Sequence, residues 1–162
     1  MATWADIQSW DHNAIIEAED LIEDEVREAR EIIADLEHAA NDIRSQGEAP
    51  DRMRQRLTEI QDKLDSRLNE LTEYALATAE LHGYVSRVVA IRESAYEVAA
   101  ELNYEIPADG KVVNRGATRE RPSLSEVLKY DDLRDCVSEA VKLATEAEET
   151  VGPRYQALAD GQ

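Results

Sequence analysis

Three groups of residues in this 162-residue chain have types and spacings that could do chemistry. Asp35, His38 and Asp42 follow one another at intervals of three and four, which places two carboxylates and an imidazole on one face of a helix. A di-iron helical bundle would need a second acid-x-x-His element, but Ala79 stands three residues before His82. We therefore interpret the first group as a solvated helix face.

The second group consists of two acidic pairs, Glu28-x-x-Glu31 and Glu48-x-x-Asp51. Their spacing is similar to that of the all-α nucleotide pyrophosphatases, which bind Mg²⁺ with such carboxylates. That chemistry needs both pairs on facing helices, whereas Glu48 and Asp51 flank Pro50 in a predicted turn. A metal-dependent nucleotide pyrophosphatase is therefore the least favoured alternative function.

The third group is the single cysteine, Cys136, which lies beside Val137 in an apolar stretch. We interpret it as a small core residue, because a nucleophilic cysteine needs a histidine partner and the three histidines lie far away in the sequence. The sequence shows no glycine-rich phosphate loop, nucleophile elbow or zinc-binding pattern. We therefore expect a protein that is not an enzyme and that holds no cofactor or metal.

The composition points to a particular environment. Asp and Glu number 36 against 18 Lys and Arg, which gives a formal charge of −18, and 14 of the 18 bases are Arg. An acidic, Lys-poor chain without Phe is typical of a protein that stays soluble in concentrated salt, where screening shortens the range of self-repulsion to a few Å. We therefore expect a salt-adapted (haloarchaeal-type) organism or its virus, with a cytoplasmic or virion location. No apolar run of 18 residues exists and no apolar leader follows Met1, so we expect no membrane contact.

The apolar periodicity predicts two long helices. A seven-residue repeat of coiled-coil type predicts the first helix over 13–45, and a longer pattern predicts the second over 51–105, ended by Pro107. The turn between them is short, so the helices should pack antiparallel with residue i opposite residue 96 − i. Gly83 is the position where the second helix could break at low cost.

Shorter elements should complete the fold. Thr3 and Asp6 have the spacing of a capping box, residues 104–113 resemble a hairpin around Pro-Ala-Asp-Gly, and 106–122 form a loop. A C-terminal helical segment is predicted over 123–151, stopped by Gly152-Pro153 and open to division at Asp131-Asp132. The predicted fold is therefore a single all-α domain, 1–162: a long antiparallel helical hairpin with an aliphatic arm. At its aromatic open end we expect the C-terminal helix and one short β-hairpin-like loop.

Two surfaces are candidates for contacts with other molecules. Residues 106–122 have a net charge of +2 in an acidic chain, from the bases Lys111, Arg115, Arg119 and Arg121. This segment lacks aromatic residues, so we expect no single-strand binding, and nucleic acid is disfavoured except through residues 111–121. The first helix has an apolar stripe wider than a two-helix seam requires, at Val26, Ile33 and Ala40. A strip of small residues at Ala75, Ala79 and Gly83 reflects either helix propensity or the close approach of another backbone.

These features favour a non-enzymatic helical assembly subunit over an enzyme. We expect a homo-oligomer that also contacts other protein subunits, through residues 111–121 and the first helix. A connector or head-completion component of a tailed virus is the most concrete example, by analogy only. The alternative is an acidic regulatory binding protein, either antitoxin-like or a nucleic-acid mimic.

Overall fold

Four helices and one two-stranded sheet form the part of the chain that the computed structural model describes, residues 1–114 and 123–161. In chain order these are α1 (Trp4–Gln8), α2 (His12–Asp42), α3 (Glu48–Glu101), β1 (Tyr104–Glu105), β2 (Val113–Asn114) and α4 (Leu124–Ala159). The 54 residues of α3 span about 80 Å at about 1.5 Å per residue. Both α2 and α4 pack on α3, whereas their own described backbones do not approach each other. Thus α3 is the central helix.

The α2–α3 hairpin is antiparallel in the predicted register. Gln61 Nε2 donates to Glu37 Oε1 at 3.0 Å, and Arg67 Nη2 is 3.4 Å from Glu25 Oε2. The residue numbers of these pairs sum to 98 and 92, on either side of the expected 96. α3 continues without a break through Gly83, because packing on both neighbouring helices outweighs the low helix propensity of one glycine.

The turn between α2 and α3 differs from the prediction by a few residues. α2 ends before the predicted limit of 13–45, because Ile43 adopts an extended conformation. α3 begins earlier than residue 51, since Pro50 occupies the first turn of a helix, where no N–H is needed. Gly47 precedes this turn with φ of 127°, a conformation that favours glycine. The Arg54 guanidinium donates to carbonyl oxygens of the turn and closes it.

The end of α3 and the following hairpin have a clear local cause. The helix stops at Glu101 instead of running to the end of the predicted 51–105, because Asn103 adopts the left-handed conformation with φ of 55°. β1 then pairs antiparallel with β2, and Gly110 N–H donates to the Pro107 carbonyl at 2.9 Å in the turn. The hairpin around Pro-Ala-Asp-Gly is therefore confirmed.

The prediction that α4 stops at Gly152-Pro153 is wrong. The helix runs unbroken past the predicted 123–151 to Ala159, and Asp131-Asp132 does not divide it. Proline removes one backbone donor, but the segment beyond it packs on α3 and so offsets the loss. Tyr155 stacks near Tyr74 with ring centroids 6.1 Å apart, and Arg154 forms an ion pair with Glu80.

The buried core lies at the end of the molecule opposite the α2–α3 turn. α1, the upper part of α3, the hairpin and α4 contribute the side chains of its main cluster: Ala2, Trp4, Ile7, Val88, Ala95, Ala99, Ile106, Val112, Leu133, Val137, Ala140 and Ala144. Edge-to-face ring pairs surround it, with Trp4 5.9 Å from Tyr96 and Tyr104 5.8 Å from Tyr130. We call residues 20–70 of the α2–α3 hairpin the arm; within it only Ala29 is buried.

The predicted all-α class with a C-terminal helix and a short two-stranded element is confirmed. The capping residues are also as expected: Thr3 and Asp6 form a capping box, and Ser123 accepts the Glu126 N–H at 3.2 Å. None of the helices in the described ranges has an apolar stretch long enough to cross a membrane.

Candidate interaction surfaces and a histidine cluster

The acidic pairs singled out in the sequence lie apart on exposed surface. Glu31 is eleven residues, or about 16 Å, from the end of α2, whereas Glu48 and Asp51 occupy the first turn of α3. There Arg52 pairs with Glu48, and Arg54 pairs with Asp51 at 2.8 Å. Across residues 1–114 and 123–161, no group of three or more His, Cys, Asp or Glu side chains is arranged to hold a metal ion.

The single-helix group around His38 is a surface contact. His38 Nε2 is 3.5 Å from Asp42 Oδ2, and 82% of the His38 side chain is exposed. Asp35 is exposed on the same helix. This arrangement matches the interpretation of a solvated helix face.

Cys136 is a half-buried free cysteine on α4, packed against the edge of the main core cluster. Burial raises the pKa of its thiol, and the negative charges of Glu139, Asp132 and Asp135 raise it further. The thiol therefore stays protonated at neutral pH, and the thiolate that a nucleophile requires is scarce.

A chain of four polar side chains, which the sequence did not single out, crosses from α2 to α3. Glu19 Oε1 is 2.8 Å from His82 Nδ1, and His82 Nε2 is 3.4 Å from His12 Nε2. On the far side, His12 Nδ1 is 3.3 Å from Ser86 Oγ. We call these residues the histidine cluster. The His82 and Glu19 side chains are 30% and 28% exposed, so solvent reaches the cluster.

The histidine cluster contains a serine, an imidazole and an acid, but its setting does not suit nucleophilic catalysis. Ser86 lies in the interior of α3, where backbone N–H groups are used by the helix. An oxyanion hole needs two donors that are free to meet the developing charge, and a helix interior does not supply them. A binding role or a structural role fits this setting better.

The sequence did contain one signal for this cluster. His12 and His82 are 70 residues apart, but their numbers sum to 94, close to the predicted antiparallel register. That register places His12 opposite residue 84, which is about 3 Å from His82 along the axis of α3.

An apolar groove of about 660 Å³ lies between α2 and α3 on the arm side of the core. Its uncharged lining consists of Ile22, Val26, Ala34, Thr72 and Ala75, and its charged edge consists of Glu23, Arg27, Arg30 and Glu31. We call this the α2–α3 groove. The sequence singles out Val26 and Ala75 for separate reasons, and only the fold shows that they border one depression.

The three residues of the predicted apolar stripe on α2 lie in two different environments. Val26 lines the α2–α3 groove, whereas Ile33 and Ala40 are half-buried outside its lining. On α3, Ala79 is exposed beyond the groove, and a Cβ added at Gly83 would meet no atom within 4 Å. The strip of small residues is therefore accessible from outside.

Residues 106–122, which we call the basic segment, can be placed only in part. Lys111 is exposed in the hairpin, where its N–H donates to Asp109 Oδ1 at 2.9 Å. The other predicted interface bases, Arg115, Arg119 and Arg121, lie outside the described residues. Arg134 of α4 lines a depression of about 640 Å³ together with Lys111. The fold thus adds a positive charge that the sequence prediction missed, because it considered only residues 106–122.

The first turns of α4, next to the basic segment, expose large apolar side chains. Leu124, Val127 and Leu128 are 76%, 40% and 55% exposed. Exposed apolar residues grouped in this way are a mark of contact surfaces.

Comparison with protein-family models, curated proteins and solved structures finds no match.

Proposed function

We propose that this chain is a non-enzymatic assembly subunit that associates with copies of itself through the α2–α3 groove. The observation that carries the proposal is the groove itself, an apolar depression between two exposed helices with charges along one edge. Grooves of this type accept the apolar face of a helix. The open strip that continues to Gly83 lets an incoming helix lie close to α3.

The occupant that fits the groove is α2 of a second copy. Glu23 and Arg30 both line the groove, seven residues apart on one face of α2. In an antiparallel two-fold arrangement centred between residues 26 and 27, Glu23 of each copy lies opposite Arg30 of the other. Two ion pairs then lie on either side of Val26, which gives the self-complementarity that a two-fold interface requires.

Charge supports a second contact between copies. Residues 106–122 have a net charge of +2, whereas residues 1–50 have a net charge of −11. Arg134 adds one more base beside Lys111 in the same depression, and the exposed apolar side chains at the start of α4 follow residues 106–122 in the chain. In the assembly that we propose, the bases of residues 106–122 meet the acidic face of a neighbouring α2.

We place the subunit in a salt-adapted (haloarchaeal-type) organism or its virus. The charge of −18 and the 14 Arg against four Lys support this environment. A connector or head-completion component of a tailed virus is one example of an all-α assembly subunit, and it rests on analogy of fold class alone.

Two matched threonines on α3 provide the test. Thr72 lines the groove and Thr58 does not; both are exposed, with hydroxyls donating to Leu68 and Arg54 carbonyls at 2.9 and 3.0 Å. We expect Thr72→Arg to reduce the particle mass measured by light scattering in about 2 M KCl, because it puts a charge against apolar groups. Thr58→Arg should assemble like the wild type, and circular dichroism should show equal helicity.

Two results would contradict this function. One is a wild-type chain that stays monomeric at high protein and salt concentration. The other is a Thr72→Arg variant that assembles normally. A monomer that instead captures a basic protein with defined stoichiometry would favour the acidic regulatory binding protein.

A further inference from the structure

The histidine cluster has a geometry that self-association does not explain. The two Nε2 atoms of His12 and His82 lie 3.4 Å apart, and each ring has its other nitrogen beside an oxygen. We propose that His12 and His82 form a two-histidine site for a divalent transition-metal ion of the Zn²⁺, Cu²⁺ or Ni²⁺ class.

The separation of the two nitrogens agrees with a shared ion. Zinc–imidazole bonds of about 2.0–2.1 Å at a tetrahedral angle put two ligand nitrogens about 3.3–3.4 Å apart. The ring planes of His12 and His82 make an angle of 67°. The ring centroids are 4.7 Å apart, which is only 1.3 Å more than the 3.4 Å between the two Nε2 atoms. The two rings therefore approach each other at an angle and not head-on. A strong N–H···N hydrogen bond would favour a head-on approach.

The outer nitrogens have the partners that metal-bound histidines use. Glu19 Oε1 accepts from His82 Nδ1, which forms the carboxylate–histidine pair that orients a ligand ring and raises its basicity. Ser86 Oγ is placed to accept from His12 Nδ1. In the tautomer in which each Nδ1 donates to its oxygen, both Nε2 atoms carry lone pairs at a separation of 3.4 Å, and a cation bound by both removes their repulsion.

The donor set selects the class of ion. Imidazole nitrogen suits zinc, copper and nickel, whereas Mg²⁺ and Ca²⁺ prefer oxygen ligands. Because no group of three protein ligands exists in the described chain, water completes the coordination, and the partial exposure of His82 and Glu19 admits it. A site with two protein ligands holds its ion less tightly than a closed four-ligand zinc site.

The third histidine of the chain supplies a matched control. His38 lies on α2, is 82% exposed and is apart from the histidine cluster. We would titrate metal-free full-length protein with ZnCl₂ in about 0.5 M KCl by calorimetry, where screening weakens diffuse binding to surface carboxylates. We expect one ion per chain, at least a tenfold loss of affinity in His12→Ala and His82→Ala, and no change in His38→Ala. Glu19→Gln should weaken binding about 10–100-fold through the loss of the outer carboxylate.

A measurement on the wild type alone keeps the test independent of how the variants fold. With one equivalent of Cu²⁺, electron paramagnetic resonance should show hyperfine coupling to two imidazole nitrogens. The proposal fails if the spectrum shows oxygen ligation only. It fails equally if Zn²⁺ does not bind, or binds wild type, His12→Ala and His82→Ala with the same affinity.

Discussion

Thr78 Oγ1 and Tyr155 Oη lie 2.5 Å apart, which ties the part of α4 beyond Pro153 to the middle of α3. Thr78 is the one buried polar residue in the described core, only 3% exposed. Its hydroxyl is therefore out of reach of bulk water, and Tyr155 takes the place of a water partner. The bond explains part of the stability that lets α4 continue through a proline.

We predict that Tyr155→Phe lowers the free energy of unfolding by about 1–3 kcal/mol, because it leaves the Thr78 hydroxyl buried without this partner. Thr78→Val should cost less, since the half-buried Tyr155 hydroxyl can turn to water. Urea denaturation of the single variants and of the double variant measures both effects. The double variant should lose less than the sum of the two; strict additivity would show that the hydroxyls do not interact.

The capping box at the start of α1 gives a prediction for pH. The Thr3 backbone N–H, and then its hydroxyl, hold the pKa of Asp6 below its ordinary value of 3.8. Since the folded pKa is lower than the unfolded one, Asp6 stabilises the fold above about pH 3.8. That contribution is lost as the pH falls through the folded pKa.

We therefore expect Asp6→Asn to be less stable than the wild type at pH 7, by a difference that shrinks as the pH falls below 3.8. Unfolding monitored by Trp fluorescence at pH 7 and near pH 2 measures the difference, because the Trp4 side chain is buried next to this cap. A difference that stays constant from pH 7 to pH 2 would contradict the role of the carboxylate.

Salt should stabilise the fold. Residues 1–50 carry 14 acids and three bases, and the arm that they help to form has almost no buried core. At low ionic strength this repulsion extends over about 10 Å or more, whereas near 1 M salt it reaches about 3 Å. We predict that helicity by circular dichroism rises with KCl, with loosening below about 0.2 M. A flat response from 0.05 to 2 M would remove the halophilic interpretation.

Charge reversal of the basic segment tests the second proposed contact. We predict that Arg115→Glu, Arg119→Glu and Arg121→Glu together dissociate the assembly, because like charges would then face α2 of the neighbouring copy. Each chain should keep its helicity, since α3 ends at Glu101 and α4 begins at Leu124, so none of the three substitutions falls within these helices. Sedimentation velocity in about 0.5 M KCl measures the change, and normal assembly of the triple variant would show that the segment is not a subunit contact.

The features that could be predicted from sequence are those with local causes. Heptad spacing on α2, capping residues before α1 and α4, and the Pro-Ala-Asp-Gly turn each depend on neighbours within a few residues. The antiparallel register followed from the short turn alone. The helical hairpin and its aromatic open end can therefore be predicted from the sequence.

The features that were missed depend on contacts between distant residues. Pro153 has a strong local preference to end a helix, but Tyr155 and Arg154 find partners on α3 that override it. The histidine cluster brings together residues from α2 and α3, none of which is unusual among its own neighbours. The α2–α3 groove likewise depends on side-chain sizes on two helices at once.

The lengths of the two connections to the central helix α3 indicate the order in which the helices pack. Only residues 43–47 separate α2 from α3, whereas residues 102–123 separate α3 from α4. Closing the longer connection costs about 1 kcal/mol more in chain entropy, from 1.5RT times the logarithm of the length ratio. Helical hairpins with such local contacts form within microseconds to milliseconds. We therefore expect a nucleus of α2 against α3, which α4 then completes by closing over the far half of the same helix.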